Sequence, residues 1–242
     1  MSKQARFSEM KWFWMFLFIL LMTNTTVAQD VEARLAQKPD FTPTANTVRE
    51  QLVEIAQHYK IPMGIEWVVQ PRPEPAPAIS VEEPTVRAQL NSLLQSTPNY
   101  SLVVKDGIVS VSTKRYAADS NNFLNLNVGE FNISKANVFD AEAKLRSRIH
   151  ATLHPERYLG GSNESYGYGV PREDGLDLKN VSFSGKDLTV RDILDRIVKS
   201  NGNTLWLVNL VPSRIMRHEP FFSQFDSEEE TDFFWKIISF SN

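Results

Sequence analysis

The chain has 242 residues, of which 42% are hydrophobic and 23% are charged, so it is long enough for one or two domains with substantial cores. This composition argues against disorder of the whole chain, and the formal net charge of −3 provides no basic field for binding nucleic acid. The sequence contains no cysteine, which excludes disulfides and thiolate metal ligands.

The N-terminal segment has the parts of a secretory signal peptide. Basic residues up to Lys11 precede an uninterrupted apolar run over residues 12–22, and small residues lead to a cleavage point after Ala28. An uncleaved membrane anchor is the alternative, but the eleven apolar residues are fewer than the roughly 20 that cross a bilayer. We therefore predict a periplasmic or secreted protein that loses residues 1–28.

The tripeptide Thr-Val-Arg occurs three times and is each time followed by apolar residues on one helical face. Threonine is a favoured N-cap, because its side-chain oxygen accepts a hydrogen bond from a free N–H of the first turn. The tripeptides therefore predict helix starts rather than a binding site. The three predicted helices cover about residues 48–59, 86–95 and 190–199.

The first module is predicted over residues 45–113, after a polar lead-in of residues 29–44. Its first helix is followed by a strand at about 63–69, because apolar residues alternate there with a period of two. Near the end of the module, Asp106-Gly107 is a two-residue turn signal between two alternating runs. The module is therefore expected to end in a β-hairpin over residues 100–113.

A polar linker over residues 114–123 leads to a second module over residues 124–211. A Gly-rich stretch at 156–175 interrupts this module and predicts an exposed loop insertion. The other predicted elements are a strand at about 125–131, a helix at 138–154, a strand at 181–184, the third Thr-Val-Arg helix and a strand at 204–211. This order repeats that of the first half and indicates an internal duplication, with convergent use of common helix signals as the alternative.

These patterns predict an α+β fold. It would consist of two small related modules of short β-sheets, built from βαβ and βαββ units, with helices packed on one face. Residues 212–242 differ in character, since an acidic run at 226–232 leads into a strongly aromatic terminus. Such a terminus must be buried or bound, so we expect either a final element of the protein's own fold or a docking segment for a partner.

The first module resembles the secretin and TonB short N-terminal domain, usually called STN. The resemblance is carried by the first-helix core Leu52, Ile55 and Ala56, by the short strand Ile79-Ser80-Val81, and by the segment that leaves the second helix towards Tyr100. A looser second copy covers about residues 124–211. The resemblance implies a periplasmic module that contacts other proteins, in a family whose members usually precede an outer-membrane barrel or a secretin pore.

The sequence offers little for catalysis or metal binding. His150 and His154 have metal-ligand spacing on a predicted helix, but Ala151 stands where a zinc protease would carry glutamate. Asp192 and Asp195 are expected on a helix surface near its N-terminus, where negative charge is favourable. We therefore predict no catalytic residue, no cofactor and no metal site. A secreted hydrolase using loop carboxylates is kept as an alternative class.

The predicted function is that of an exported, non-catalytic, STN-like binding or assembly protein of the cell envelope. Exposed sheet edges would accept a partner strand, and the partners would be a secretin, pilus or outer-membrane transporter component, with membrane contact only through an uncleaved signal peptide. A signal-relay domain working with a TonB-dependent outer-membrane transporter is the alternative. The candidate partner-binding residues are the tyrosines of the loop insertion and the aromatic residues of the tail, namely Tyr158, Tyr166, Tyr168, Phe233, Phe234 and Trp235.

Overall fold

The computed structural model describes residues 30–69, 75–77, 79, 82–120, 122–153, 155, 179–210 and 233–240. The fold class is α+β, as the sequence predicts, with one mixed five-stranded sheet and one two-stranded sheet. The helices are α1 (Val48–His58), α2 (Val86–Gln95), the single turn α3 (Lys114–Ala117), α4 (Val138–Leu153) and α5 (Val190–Asn201). The strands are β1 (Met63–Val68), β2 (Tyr100–Lys105), β3 (Ile108–Thr113), β4 (Phe131–Ala136), β5 (Val181–Gly185), β6 (Thr204–Leu210) and β7 (Phe233–Ser239).

The three Thr-Val-Arg segments begin helices as predicted. The side-chain oxygens of Thr47, Thr85 and Thr189 each accept a hydrogen bond from the backbone N–H three residues later, at the starts of α1, α2 and α5. At α5 the carboxylate of Asp192 also accepts from the backbone N–H of Thr189, which completes a reciprocal capping box. The local sequence therefore fixes where these helices begin.

The five-stranded sheet has the order β2-β3-β1-β6-β7. Its central strand β1 runs parallel to both β3 and β6, whereas the outer pairs β2–β3 and β6–β7 are antiparallel. The β1–β6 pairing extends from Met63 opposite Leu205 to Val68 opposite Leu210. Strands from both predicted modules therefore lie in one sheet and are joined by backbone hydrogen bonds.

Strand β6 explains how the two halves share this sheet. Leu205 and Leu207 point into a core under α1 and α2, together with residues of β1 and β3. Trp206 and Val208 point into a second core on the opposite face, where α4, α5 and the two-stranded sheet β4–β5 pack. A strand with a helical layer on each face reads as a continuous apolar run, which is what residues 205–208 show.

One predicted strand lies elsewhere in the structure. Instead of a strand at 125–131, the chain forms a 3-10 turn at Phe123–Asn125, and β4 begins only at Phe131. The side-chain oxygen of Asn122 accepts from the N–H of Leu124 and stabilises the turn. Gly129 then adopts a φ of 74°, a left-handed conformation that interrupts an extended strand.

The aromatic terminus forms the last strand, which is one of its two predicted roles. Strand β7 pairs antiparallel with β6 along its whole length, from Phe233 opposite Leu210 to Ser239 opposite Thr204. The predicted signal peptide and the loop insertion at 156–175 lie outside the described residues. Within the ranges that the structure describes, no helix is both long and apolar enough to span a membrane.

Candidate functional site

The candidate site is the outer edge of strand β2. The edges of the two sheets are β2 and β7 in the larger sheet, and β4 and β5 in the smaller one. An edge strand presents unpaired N–H and C=O groups that can pair with another chain, and natural proteins usually cover such groups. The way in which each edge is covered therefore indicates which one is available to a partner.

Charged side chains from neighbouring helices cover the edges of the smaller sheet. Asn132 in β4 and Ser184 in β5 stand opposite each other. The ammonium group of Lys144 in α4 donates to the carbonyl oxygen of Asn132. A guanidinium N–H of Arg196 in α5 donates to the carbonyl oxygen of Ser184 at 3.1 Å. Each edge thus has an outward carbonyl that is already hydrogen-bonded within the chain.

The edge of β7 is covered by a buried carboxylate. The backbone N–H of Ile237 donates to the side chain of Glu142 in α4, which is only 5% exposed and forms an ion pair with Arg146 at 2.6 Å. Burial raises the pKa of Glu142, while Arg146 and the N–H of Ile237 act in the opposite direction. A partner strand on β7 would have to displace this buried group.

The hairpin register fixes which groups of β2 face outward. Lys105 and Ile108 flank the predicted Asp106-Gly107 turn, whose two residues have φ values of 54° and 82°. In a two-residue hairpin of this type the flanking residues are hydrogen-bonded to each other, and hydrogen-bonded pairs alternate with non-bonded ones. The backbone groups of Leu102 and Val104 therefore point away from β3.

The outward groups of β2 carry no such cover from any residue that the structure describes. Among the described residues, no side chain hydrogen-bonds to the backbone of Leu102 or Val104, in contrast to the other edges. Between them lies Val103, whose side chain is 54% exposed on the opposite face of the strand. Within the described ranges, this edge therefore combines backbone groups that no side chain binds with an exposed apolar side chain.

A groove of about 390 Å³ runs beside this edge, between α2 and β2. Its apolar surface comes from Leu94 and Leu102, and two amide side chains of α2, Asn91 and Gln95, stand on its helical side. An added strand would present alternate side chains to this groove. A second groove of about 440 Å³ lies between β4 and α4, but Lys144, which covers the β4 edge, also lines it.

Strand β2 is held firmly at its first residue. The ring of Tyr100 stacks on Trp67 of β1 with centroids 4.3 Å apart, and its hydroxyl accepts from the N–H of Val68 at 2.8 Å. These contacts reach across β3 and tie the edge strand to the centre of the sheet. A partner would therefore meet a preorganised edge, which reduces the entropy lost on binding.

Two arginines of the Thr-Val-Arg segments connect the halves of the chain. Arg191 of α5 forms an ion pair at 2.7 Å with Glu66 of β1, which is completely buried and also accepts from Asn122 at 2.7 Å. Arg49 of α1 donates to the side-chain oxygen of Asn209 in β6 at 3.0 Å. Each arginine therefore reaches a strand of the other half. The sequence signal for the first pair is the single charge within the apolar strand Met63–Val68.

Asp195 is not the helix-surface residue that the sequence predicts. Its side chain is partly buried and accepts from the indole N–H of Trp206 at 2.7 Å. The Trp206 ring in turn covers Gly64, where an added Cβ would lie 2.3 Å from a ring atom. Burial raises the pKa of Asp195 to about 6, against the opposing effects of the Trp206 hydrogen bond and the Arg191 charge.

The other predicted site residues that the structure describes are not assembled into a reactive group. In the part of the chain that is described, no cluster of three or more His, Asp or Glu side chains could hold a metal ion. Asp192 caps α5, and His150 lies on α4, while His154 lies outside the described residues. Tyr158, Tyr166 and Tyr168 also lie outside the described residues. Phe233, Phe234 and Trp235 are backbone partners of β6 within β7.

In comparisons with known proteins, no family model, no curated protein and no solved structure matches the chain.

Proposed function

We propose that this protein is an exported, non-catalytic binding or assembly component of a cell envelope. We propose further that it takes an extended segment of a protein partner as an added strand on β2. The observation that carries the proposal is the outer edge of β2, where no described side chain binds the backbone of Leu102 or Val104. On each of the other described edges, one backbone group is bound by Lys144, Arg196 or Glu142.

Strand addition suits this edge physically. Backbone hydrogen bonds to the added strand supply affinity with little dependence on sequence, while pockets for alternate side chains supply specificity. The groove between α2 and β2 offers such a pocket, with Leu94 and Leu102 as apolar surface and amide groups beside them. Anchoring of the edge through Tyr100 preorganises it and so lowers the entropy lost when a strand docks.

The envelope location rests on the signal-type N-terminus, and the choice of partner rests on the STN resemblance. Together they favour an assembly that includes a secretin, pilus or outer-membrane transporter component as the place where the protein works. The proposal includes no nucleic acid, no cofactor and no catalytic residue. The covered edges and the groove concern binding alone.

The test is a photo-crosslinking amino acid placed at Asn91, on the helical side of the groove, in the full chain expressed in its native envelope. We expect a discrete crosslinked protein whose crosslinked peptide is extended and partly apolar. Val104→Pro removes an outward N–H without removing a bond to β3, so it should abolish the crosslink while the fold is retained. Val104→Thr keeps the N–H and the branched shape and should leave the crosslink unchanged.

A second variant protects the test against misfolding of the proline variant. Val103→Lys places a charge on the exposed face of the edge, a common way to prevent strand pairing, and circular dichroism should report an unchanged fold. Equal crosslinking in the wild type and in both edge variants would contradict strand addition at β2.

A further inference from the structure

The outward groups of β2 are arranged symmetrically about one residue. Leu102 and Val104 each present one N–H and one C=O to the edge, and Val103 lies midway between them. An antiparallel strand of the same sequence can therefore pair with β2 about a two-fold axis at Val103. Leu102 would then exchange hydrogen bonds with Val104 of the second copy, and the reverse, for roughly four backbone hydrogen bonds.

From this geometry we propose that the strand that completes β2 belongs to a second copy of this chain. The inference rests on the proposed function, because it names the partner for the same edge. The resulting contact is isologous: the same surface is used by both copies, as in most closed dimers.

The side chains of β2 fit this pairing. Val103 faces Val103 of the second copy in a non-hydrogen-bonded pair, where side chains approach most closely. The pairing buries Val103. Two large hydrophobic residues are exposed among those that the structure describes, and Val103 is the more exposed of the two. On the other face, Val104 of the second copy lies beside Leu102, next to the apolar part of the groove formed with Leu94.

The charges of the strand favour the antiparallel arrangement. Lys105 is the charged residue of β2 and, in this register, lies opposite the uncharged Ser101 of the second copy. The two Lys105 side chains then stand at opposite ends of the contact, roughly 13 Å apart along the strands, so they are largely screened from each other. A parallel copy in register would place them side by side.

The size of the contact sets its expected strength. An interface made of one strand edge and its adjoining groove falls at the small end of specific interfaces, below about 1,200 Å² in total. We therefore expect a dimer that forms in a concentration-dependent way.

The absence of cysteine from the chain allows a direct test with the full protein after removal of the signal sequence. Val103→Cys introduces a single thiol, and facing Cα atoms about 4.5 Å apart lie within disulfide range. Oxidised glutathione accepts the two electrons and two protons as two thiols join. We expect most of the chain to become a covalent dimer.

Lys105→Cys is the matched control, since it lies on the same face of the same strand but far from its own copy. It should stay monomeric under the same oxidation. A mixture of Lys105→Cys and Ser101→Cys chains should instead yield the mixed dimer. Dimer yields for Val103→Cys no higher than for Lys105→Cys would overturn the inference, and so would an unchanged yield when Val104→Pro is added.

These outcomes separate the inference from the proposed function. If Val103→Cys does not dimerise but the groove crosslinker captures a different envelope protein in a Val104-dependent way, the self-pairing is overturned and the proposed function stands. If Val103→Cys dimerises while capture of an envelope protein is insensitive to Val104→Pro, the self-pairing stands and binding of another protein at β2 is overturned.

Discussion

Replacing Asp195 by asparagine removes a charge while keeping the acceptor that Trp206 uses. The Oδ1 atom accepts the indole N–H at 2.7 Å, and an asparagine has the same oxygen in the same place. The carboxylate is surrounded by Arg191 and Asp192 on its own helix and by Lys105 of β2. Because the two side chains have nearly the same shape, the variant isolates the free energy of ionising Asp195 in the folded state.

The magnitude follows from the pKa of Asp195, which rises from 3.8 to about 6 on folding. A raised pKa means that the folded protein holds the proton more tightly than the unfolded chain. The associated stability is therefore fully present below pH 3.8 and is lost as the pH rises through 6. The full shift corresponds to about 3 kcal/mol at most, and partial exposure of the side chain reduces the expected value to about 1–3 kcal/mol.

The assay is urea unfolding of the wild type and Asp195→Asn at about pH 3.5 and pH 8. We expect equal stability at the lower pH and a variant that is more stable by about 1–3 kcal/mol at the higher pH. Asp187→Asn is the matched control, because it makes the same substitution at an exposed position. An Asp195→Asn variant that is less stable than the wild type at pH 8, or equally displaced at both pH values, would refute this reasoning.

Three further predictions concern stability and use urea unfolding of each variant against the wild type. Glu66→Ala leaves the buried end of Arg191 without its partner and should cost about 3–5 kcal/mol, whereas Glu66→Gln, which keeps an acceptor, should cost less. Gly64→Ala places a methyl group against the Trp206 ring and should cost at least about 1–3 kcal/mol, with a changed near-UV circular dichroism signal as a second readout. Thr189→Ala should cost about 1 kcal/mol through loss of the α5 cap, and Thr189→Ser should restore most of it.

The elements that could be predicted are those fixed by neighbouring residues. A threonine side chain caps its own helix, so the starts of α1, α2 and α5 follow from the tripeptides. Asp106-Gly107 sets the hairpin turn and, with it, the register of β2 against β3. The prediction of a strand at 125–131 was wrong, because a 3-10 turn and the left-handed Gly129 occupy this segment. Apolar spacing alone does not distinguish such a segment from a strand.

The features that could not be predicted depend on contacts between distant residues. Parallel pairing of β1 with β6 joins segments about 140 positions apart, and no local pattern encodes it. The same holds for the candidate site. The sequence shows that β2 is a strand, but it does not show that its edge is open. The edge stands out only because Lys144, Arg196 and Glu142 bind backbone groups of the other edges, and these contacts form only on folding. The partial burial of Asp195 likewise requires the position of Trp206.

The pairing of β1 with β6 has a consequence for proteolysis. A cut within residues 114–123 would separate the chain into two fragments. Each fragment would still contribute strands to the shared sheet. Each would also keep an arginine that contacts the other fragment, since Arg49 binds Asn209 and Arg191 binds Glu66. The nicked molecule should therefore migrate as an intact particle until denaturant is added. Either fragment made by itself would leave an apolar strand without its neighbour and would be prone to aggregate.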